Sequence, residues 1–364
     1  MKPHLLWEVN PGEHRLALIE NGQTVEFRIL RTVGAFASTF SGDIRVARIV
    51  ENFGPRKALV RFADDVEAFL EPAPKLPEGA RLAVEITRPP IAEPGRWKRA
   101  ICKPRQDISI ADLDAHRTSL ASAMVQAWGA EAIIVSNQVA YASLREMLGD
   151  AEIAVTIEPA AFDAVDFDEL EQIAVSGEYA IENGQISIER TRAMTMIDID
   201  GSGDPVALNL VAANEIPRLL RLLDIGGQVG IDFLAMPDRS TRLSVDAALA
   251  EACKALGPHE RTAINGFGFA QIVRPRPGPS IPEVLCGTTP WRLSLESRAI
   301  ALLREAAHSK GHGQRQLVAN PAIIDLLRSW PDEVAALQKQ LGAAIELVPD
   351  SSVSGYGHVH VSQS

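Results

Sequence analysis

The feature that most constrains this chain is a pair of acidic strand ends, Ile197-Asp198-Ile199-Asp200-Gly201 and Gly230-Ile231-Asp232-Phe233, separated by one long apolar segment. Residues two apart share a face of a strand, so Asp198 and Asp200 project together while Ile197 and Ile199 enter a core on the other side. A second strand lying beside the first brings Asp232 into a carboxylate cluster with them. Carboxylate oxygens are hard ligands suited to Mg²⁺ or Mn²⁺, and a cation held this way polarises a phosphodiester and activates water. Taken alone, such strand ends are ordinarily solvated aspartates. The flanking sequence changes the balance.

The connecting segment runs Leu208-Asn209-Leu210-Val211-Ala212-Ala213-Asn214-Glu215-Ile216-Pro217-Arg218-Leu219-Leu220-Arg221 and ends at Gly226-Gly227. Thr195-Met196 precedes the first acidic strand end, Gly201-Ser202-Gly203 follows it, and Leu234-Ala235-Met236 follows the second. Further on come Asn265-Gly266-Phe267-Gly268 and then Arg274 and Arg276. In sequence and order these segments resemble the catalytic core of the RNase E/G endoribonucleases. The resemblance implies that Asp198 and Asp232 hold Mg²⁺, or Mn²⁺ in its place, and that Asp200 orients the hydrated metal or joins its shell. Asn209, Arg274 and Arg276 are then expected to position an RNA backbone. The two arginines also read as exposed basic residues that contact nothing.

With 364 residues the chain has room for two or three modest domains, and its 46% hydrophobic and 23% charged content is that of a soluble globular protein. No apolar run reaches membrane-spanning length, and the start, Met1-Lys2-Pro3-His4, lacks the long apolar segment of a signal peptide. The expectation is a cytoplasmic enzyme with no membrane partner. Cys102, Cys253 and Cys286 are odd in number and far apart, which fits buried free thiols better than a disulfide framework.

A net charge of -11 argues against a generic nucleic-acid coat protein. The distribution matters more than the sum: from Gly42 to Pro104 there are 12 Lys and Arg against 9 Asp and Glu. Within it, Gly95-Arg96-Trp97-Lys98-Arg99-Ala100-Ile101-Cys102-Lys103-Pro104-Arg105 carries five cations and no acid. A basic strand with an interleaved aromatic suits a single-stranded RNA groove, where phosphates meet cations and bases stack on rings. The same pattern describes a solvated basic edge strand.

The neighbours read as an inserted β-barrel. Short strand-like runs at Asp43–Val50, Lys57–Phe62, Ala68–Leu70, Arg81–Arg88 and Arg96–Cys102 are separated by Gly-Pro and Pro-rich turns, and five short strands fit an OB-fold. The run Arg48-Ile49, Ala58-Leu59-Val60-Arg61-Phe62, Ala68-Phe69-Leu70-Glu71-Pro72 resembles the S1-like RNA-binding barrel of RNase E/G enzymes. That resemblance places Phe69 and Lys98 at RNA-contacting positions, with Phe62 as a further stacker. Leu59 stands where the family often has a second stacking phenylalanine, which predicts a weaker grip.

Elsewhere the expected elements are a hairpin His14–Leu18 and Thr24–Leu30 turned at Asn21-Gly22, and a helix Ile110–Trp128. Strands Ala132–Ser136 and Ile153–Ile157 follow, with helices Tyr141–Leu148 and Phe167–Ala174. A hairpin Tyr179–Ile188 turned at Asn183-Gly184 leads into the first acidic strand. The tail predicts helices Leu295–His308 and Ala322–Leu341 with strands Gln316–Ala319, Ala344–Val348 and Gly357–Ser362. The fold class expected is a mixed α+β and α/β multidomain chain. The resemblance implies an RNase H-like subdomain in two parts, 1–36 and 106–177, interrupted by the S1-like OB-fold barrel at 37–105. A DNase I-like catalytic subdomain at 178–281 and a small α+β domain at 282–364 complete it. In the tail, His358 and His360 share a strand face and Glu305, His308 and His312 have helix-face spacing; an edge strand and a solvated helix end account for both.

Departures from the family pattern shape the functional expectation. The family's zinc motif pairs two cysteines, whereas Cys286 stands alone here, so no zinc is expected and the chain should be a monomer or a dimer not linked by zinc. No stretch after the barrel carries a 5′-monophosphate pocket, and Arg31-Thr32 resembles that pocket's motif only locally. Asp200 replaces the usual Asn, and Ala235 replaces an acidic residue after Asp232. The expected function is a metal-dependent endoribonuclease that cuts single-stranded RNA in RNA processing or decay, leaving 5′-phosphate and 3′-hydroxyl ends. The alternative is an RNA-binding factor for rRNA or ribosome maturation with weak or lost nuclease activity. An S1-like barrel disfavours a DNA nuclease.

Overall fold

A computed structural model describes residues 3–36, 40–63, 65–113, 125–126, 128–149 and 151–362. The chain is mixed α+β and divides into two compact units. One comprises Met1–Ser38, Val125–Val175 and Val284–Ser364; the other comprises Thr39–Met124 and Ser176–Glu283.

In the second unit, strands Ile44–Asn52, Ala58–Arg61, Glu67–Leu70, Arg81–Arg88 and Ala100–Pro104 close into a barrel. Counted within the barrel the order is 1-2-3-5-4, with the third and fifth strands parallel and every other pair antiparallel, the arrangement of an OB-fold. Period-two alternation fills it: Ala47 and Ile49, then Ala58, Val60 and Phe62, then Ala68 and Leu70 point inward. One expectation is corrected here. Arg96–Cys102 is not a single barrel strand, because Arg96–Lys98 pairs with Ile91–Glu93 in a separate hairpin and the barrel strand begins at Ala100. Pro94-Gly95, with Gly95 at φ +78, supplies the turn.

The same unit holds a six-stranded sheet in the order Glu178–Ile181, Gly184–Arg190, Thr195–Gly201, Gly227–Asp232, Phe269–Arg274, Glu260–Arg261. All its pairs are antiparallel except Thr195–Gly201 with Gly227–Asp232. A parallel pair needs a crossover, and the helix Pro205–Leu222 provides it. Asp204 caps that helix by accepting from the Val206 and Ala207 amides, and Pro205 sits in the first turn, where no donor is lost. Leu208, Ala212, Ile216, Leu219 and Leu220 are buried, as are Ile197, Ile199, Val229 and Ile231 of the two parallel strands. A second helix, Arg239–Cys253, was not legible from the sequence. The expected Asn183-Gly184 turn is present, with Asn183 at φ 60.

In the first unit a five-stranded sheet has the order Ala154–Ile157, Ala132–Val135, His4–Asn10, Glu13–Glu20, Gln23–Arg31. The last three form an antiparallel meander, one strand more than the expected hairpin, and the first two run parallel to His4–Asn10. Helices Gln138–Leu148 and Phe167–Ser176 follow the expected pattern. The expected helix Ile110–Trp128 lies largely outside the described residues. A three-stranded sheet, Ile345–Pro349, Arg315–Ala319, His358–Val361, is flanked by helices Leu295–His308, Pro321–Arg328 and Pro331–Leu341. The last two replace the single helix expected over Ala322–Leu341. Pro331 lacks an amide and disfavours helical backbone at Trp330, so the helix stops and restarts.

Buried charge ties this unit together. Arg304 pairs with Glu13 and Glu171, Arg31 with Glu13 at 2.6 Å, and Arg15 with Glu8 at 2.5 Å and Glu171 at 3.2 Å. Burial holds the Glu171 carboxyl above its ordinary value. Beside this network the buried His14 ring accepts a 3.1 Å hydrogen bond from Trp7 Nε1. Burial pushes the His14 pKa down from 6.5 to about 4, against the pull of Glu13. The folded state therefore binds fewer protons than the unfolded chain, and His14's stabilisation, complete above pH 6.5, is lost as pH falls towards about 4. Urea unfolding at pH 7.5 and 4.5 should show His14→Gln, which keeps an acceptor for Trp7, losing less stability on acidification than the parent by on the order of 2 kcal/mol. Equal acid losses would assign the sensitivity elsewhere.

Candidate active site

Parallel pairing sets the two acidic strand ends side by side. Asp198 and Asp232 are direct register partners, and Asp232 is the last residue of its strand. Both are exposed, whereas Ile197 and Ile231, the pair before them, are fully buried. Asp198 Oδ1 accepts from the Ile199 amide at 3.0 Å. Among the described residues no Lys or Arg side chain pairs with either carboxylate.

Asp200 shares the strand face of Asp198 but lies beyond the end of Gly227–Asp232, about 7 Å further along by strand rise. No group of three or more His, Cys, Asp or Glu side chains among the described residues could hold a metal ion. The expected three-carboxylate cluster is therefore reduced to a pair. Across the other edge, Ser187 is the register partner of Asp198 and Gln185 of Asp200. Direct partners project to one face, so Ser187 and Gln185, which hydrogen-bond each other at 3.3 Å, line the site. Neither was legible from sequence, because the register of that strand follows from the Thr191–Met194 turn.

Two devices fix the chain leaving Asp232. The Asn209 side chain, fully buried, donates to the Leu234 carbonyl at 2.9 Å and accepts from the Leu234 amide at 3.0 Å. Asn209 is thus a positioning residue and does not reach RNA. The Phe233 amide donates to the Gly268 carbonyl at 3.1 Å, and a Cβ on Gly268 would come within 2.8 Å of the Phe233 carbonyl oxygen. Gly268 also lies at φ +86, so only glycine fits this approach.

The arginines expected to position RNA have other work. Arg274 donates to the carbonyls of Leu220 and Ile225, satisfying the end of the crossover helix. Arg276 is ion-paired with Glu283, itself almost fully buried. Phe62 is 4% exposed inside the barrel, with Arg45 stacked 4.4 Å from its ring centroid, so it is a core residue rather than a stacker. Phe69 is half-buried beside Lys57 (4.3 Å), Arg99 (5.9 Å) and Phe53 (6.3 Å between centroids). It lines an open groove of ≈ 470 Å³ together with Arg88, Trp97 and Lys98. Lys98 stands on the separate hairpin, paired with Glu93, and also lines a ≈ 180 Å³ cavity with Arg190, Arg192 and Arg276. Burial and the nearby Arg276 charge lower the Arg88 pKa.

The remaining metal-like patterns do not assemble. The helix ends at His308, so Glu305, His308 and His312 do not share a helix face, and Glu305 accepts from the Val359 amide. Arg31 is occupied by Glu13 and Ser297, and Thr32 by Glu333. All three cysteines are free and buried; burial raises Cys102 to about 12 and Cys253 to about 11.

One unit therefore combines an OB-type barrel with two exposed aspartates in direct register on neighbouring parallel strands. The sequence profile of the Ribonuclease E/G family matches residues 108–277. Over 199 residues the chain is 31% identical to Ribonuclease E of Escherichia coli (strain K12), covering 49% of this chain and 19% of that protein. Over 190 residues it is 36% identical to Ribonuclease E of Haemophilus influenzae, covering 47% and 20% respectively. Ribonuclease G of Escherichia coli (strain K12) is 29% identical over 189 residues, covering 46% and 38%. The chain spans about a fifth to two fifths of the length of these relatives. The matched region holds just under half of the chain and contains both aspartates.

The Asn209 clamp is open to test. Asn209→Leu leaves the part-buried amide and carbonyl of Leu234 without their side-chain partner and should destabilise this unit by about 1–3 kcal/mol. A denaturation midpoint unchanged from the parent would remove the clamp from the account.

Proposed function

We propose that the chain is an endoribonuclease acting on single-stranded RNA, with Asp198 and Asp232 at the cleavage centre. The observation that carries this is the direct register pairing of two exposed carboxylates with no cationic partner, inside the region shared with Ribonuclease E/G. Two unneutralised hard oxygen donors fit Mg²⁺, which commonly takes one or two carboxylates, keeps several waters and completes its shell with substrate phosphate. When bound, such a cation would activate water and offset charge on the phosphoryl oxygens. Asp198 and Asp232 would supply its negative ligands, and Asp200, two residues further along the same strand face, would orient its bound water. Asn209 and Gly268 hold the Asp232 strand end in place. Attack of water on phosphorus with departure of the 3′ oxygen leaves 5′-phosphate and 3′-hydroxyl ends.

RNA is guided by the groove and the cavity that share Lys98. Phe69 offers a ring for base stacking, and Lys98, Arg88 and Arg99 offer cations for the backbone. The five-stranded sheet, with a 1-2-3 meander and two further strands parallel to the first, fits the RNase H-like subdomain interrupted by an S1-like barrel; the six-stranded sheet fits the DNase I-like subdomain. Zinc is not required in this reading, since one thiolate per chain cannot build a four-coordinate thiolate site across a dimer, and the chain acts as a monomer or an unlinked dimer.

Fluorescent single-stranded RNA, incubated with the protein and Mg²⁺ or with chelator, tests the proposal. Asp198→Asn and Asp232→Asn each remove a negative ligand without changing side-chain size and should slow Mg²⁺-dependent cleavage by about 100-fold or more while RNA affinity holds. Parental rates in both would sink the site assignment, and binding without any cleavage by the parent would favour the RNA-binding maturation factor. Phe69→Ala and Lys98→Ala should weaken RNA binding, the lysine change also reducing the salt slope by roughly 0.7 for one lost phosphate contact. Phe62→Ala should instead unfold the barrel, at a cost of about 3–5 kcal/mol. Unaltered affinity in both Phe69→Ala and Lys98→Ala would take the barrel out of RNA recognition.

A further inference from the structure

Phe267 is 93% exposed, far above Trp291 at 58%, the next most exposed large apolar side chain among the described residues. An isolated exposed apolar residue is normally unremarkable surface. Its setting separates this one. Asn265 Oδ1 accepts from the Phe267 amide at 2.8 Å and the Phe269 amide at 3.1 Å, and the Gly268 amide donates to the Asn265 carbonyl at 3.1 Å. These bonds close a turn that holds the Phe267 backbone fixed while its ring enters solvent. The turn is also tied to the cleavage centre. Phe269, two residues on, is the register partner of Asp232, and the Phe233 amide donates to the Gly268 carbonyl. A rigid backbone therefore carries an unpacked aromatic ring beside the end of the strand that bears Asp232.

An RNA strand with a phosphate at Asp198 and Asp232 would run its flanking nucleotides past this end of the sheet, where Phe269 is in register with Asp232. Nucleobases in single strands gain stability by stacking on exposed rings, largely independently of base identity. We propose that Phe267 is a base-stacking platform for a nucleotide flanking the scissile phosphate, and so a determinant of where in a single strand the cut falls. The proposal rests on the reading of Asp198 and Asp232 as the cleavage centre. It adds a contact to the catalytic unit that is separate from the barrel groove around Phe69.

The test uses the full chain and single-stranded RNA carrying one 2-aminopurine or one abasic site at successive positions around the cut. Binding is read in chelator, so that it does not depend on cleavage. The parent should quench 2-aminopurine at a flanking position. An abasic site there should weaken parental binding by about five-fold or more, the range of one lost stack, and should cost Phe267→Ala little. Phe267→Trp should restore both signals, whereas Phe267→Leu, apolar but without a ring face, should not. An abasic penalty equal in the parent and Phe267→Ala overturns the platform even if Asp198→Asn abolishes cutting. Quenching and coupling without any cleavage would leave the platform standing and remove the nuclease reading. A change in self-association in Phe267→Ala, with RNA coupling unaltered, would assign the ring to a contact between copies and also overturn the proposal.

Discussion

Everything at the candidate site depends on the parallel pairing of Thr195–Gly201 with Gly227–Asp232. Parallel neighbours cannot be joined by a tight turn, so the chain must spend a helix on the crossover, and the helix Pro205–Leu222 is apolar along the face that covers the isoleucines of the two strands. Burial of Ile197, Ile199, Val229 and Ile231 fixes which face is core, and strand alternation then forces the aspartates to the opposite face. Because a one-residue slip would exchange the two faces, the hydrophobic layer determines the register, and the register places Asp198 opposite Asp232.

The ends of the crossover are secured by side chains that sequence inspection assigned to RNA. Arg274 satisfies carbonyls where the helix stops, and Asn209 clamps Leu234 from the first turns of the same helix. Both act on the candidate site through the backbone. A polar residue near paired carboxylates invites assignment to a substrate, yet a buried side-chain amide with both its donor and its acceptor matched to the backbone of one residue is a structural clamp.

What the sequence could show follows from periodicity and turn chemistry. The acidic strand ends, the Asn183-Gly184 and Asn21-Gly22 turns, and the first four barrel strands were legible because alternation and glycine-bearing turns are local signals. Phe62 illustrates a signal that was present but unused: it shares parity with Ala58 and Val60, and that parity faces the barrel core. Lys98 was placed on the barrel because no turn residue separates Arg96-Trp97-Lys98 from the strand-like Ala100-Ile101-Cys102, and only pairing with Ile91–Glu93 reveals the separate hairpin. The buried network of Arg304, Glu13 and Glu171 joins residues up to 291 positions apart and has no local signature at all. Ser187 and Gln185 were hidden for a related reason, since their place beside the aspartates depends on register across a turn.

Net charge and local charge point in different directions here, and the difference is informative. The chain carries -11 overall, yet the groove and cavity around Lys98 gather arginines and lysines, while two aspartates stand directly opposite each other with no cation between them. Like charges at direct cross-strand positions destabilise a sheet, by up to about 1 kcal/mol. Folding alone gives no reason to keep both, because a serine or asparagine at either position would relieve the repulsion without disturbing the isoleucine layer beneath. In the other unit the acids Glu13 and Glu171 are instead bridged by Arg304. The site lacks that compensation, and a bound cation is the simplest agent that would supply it.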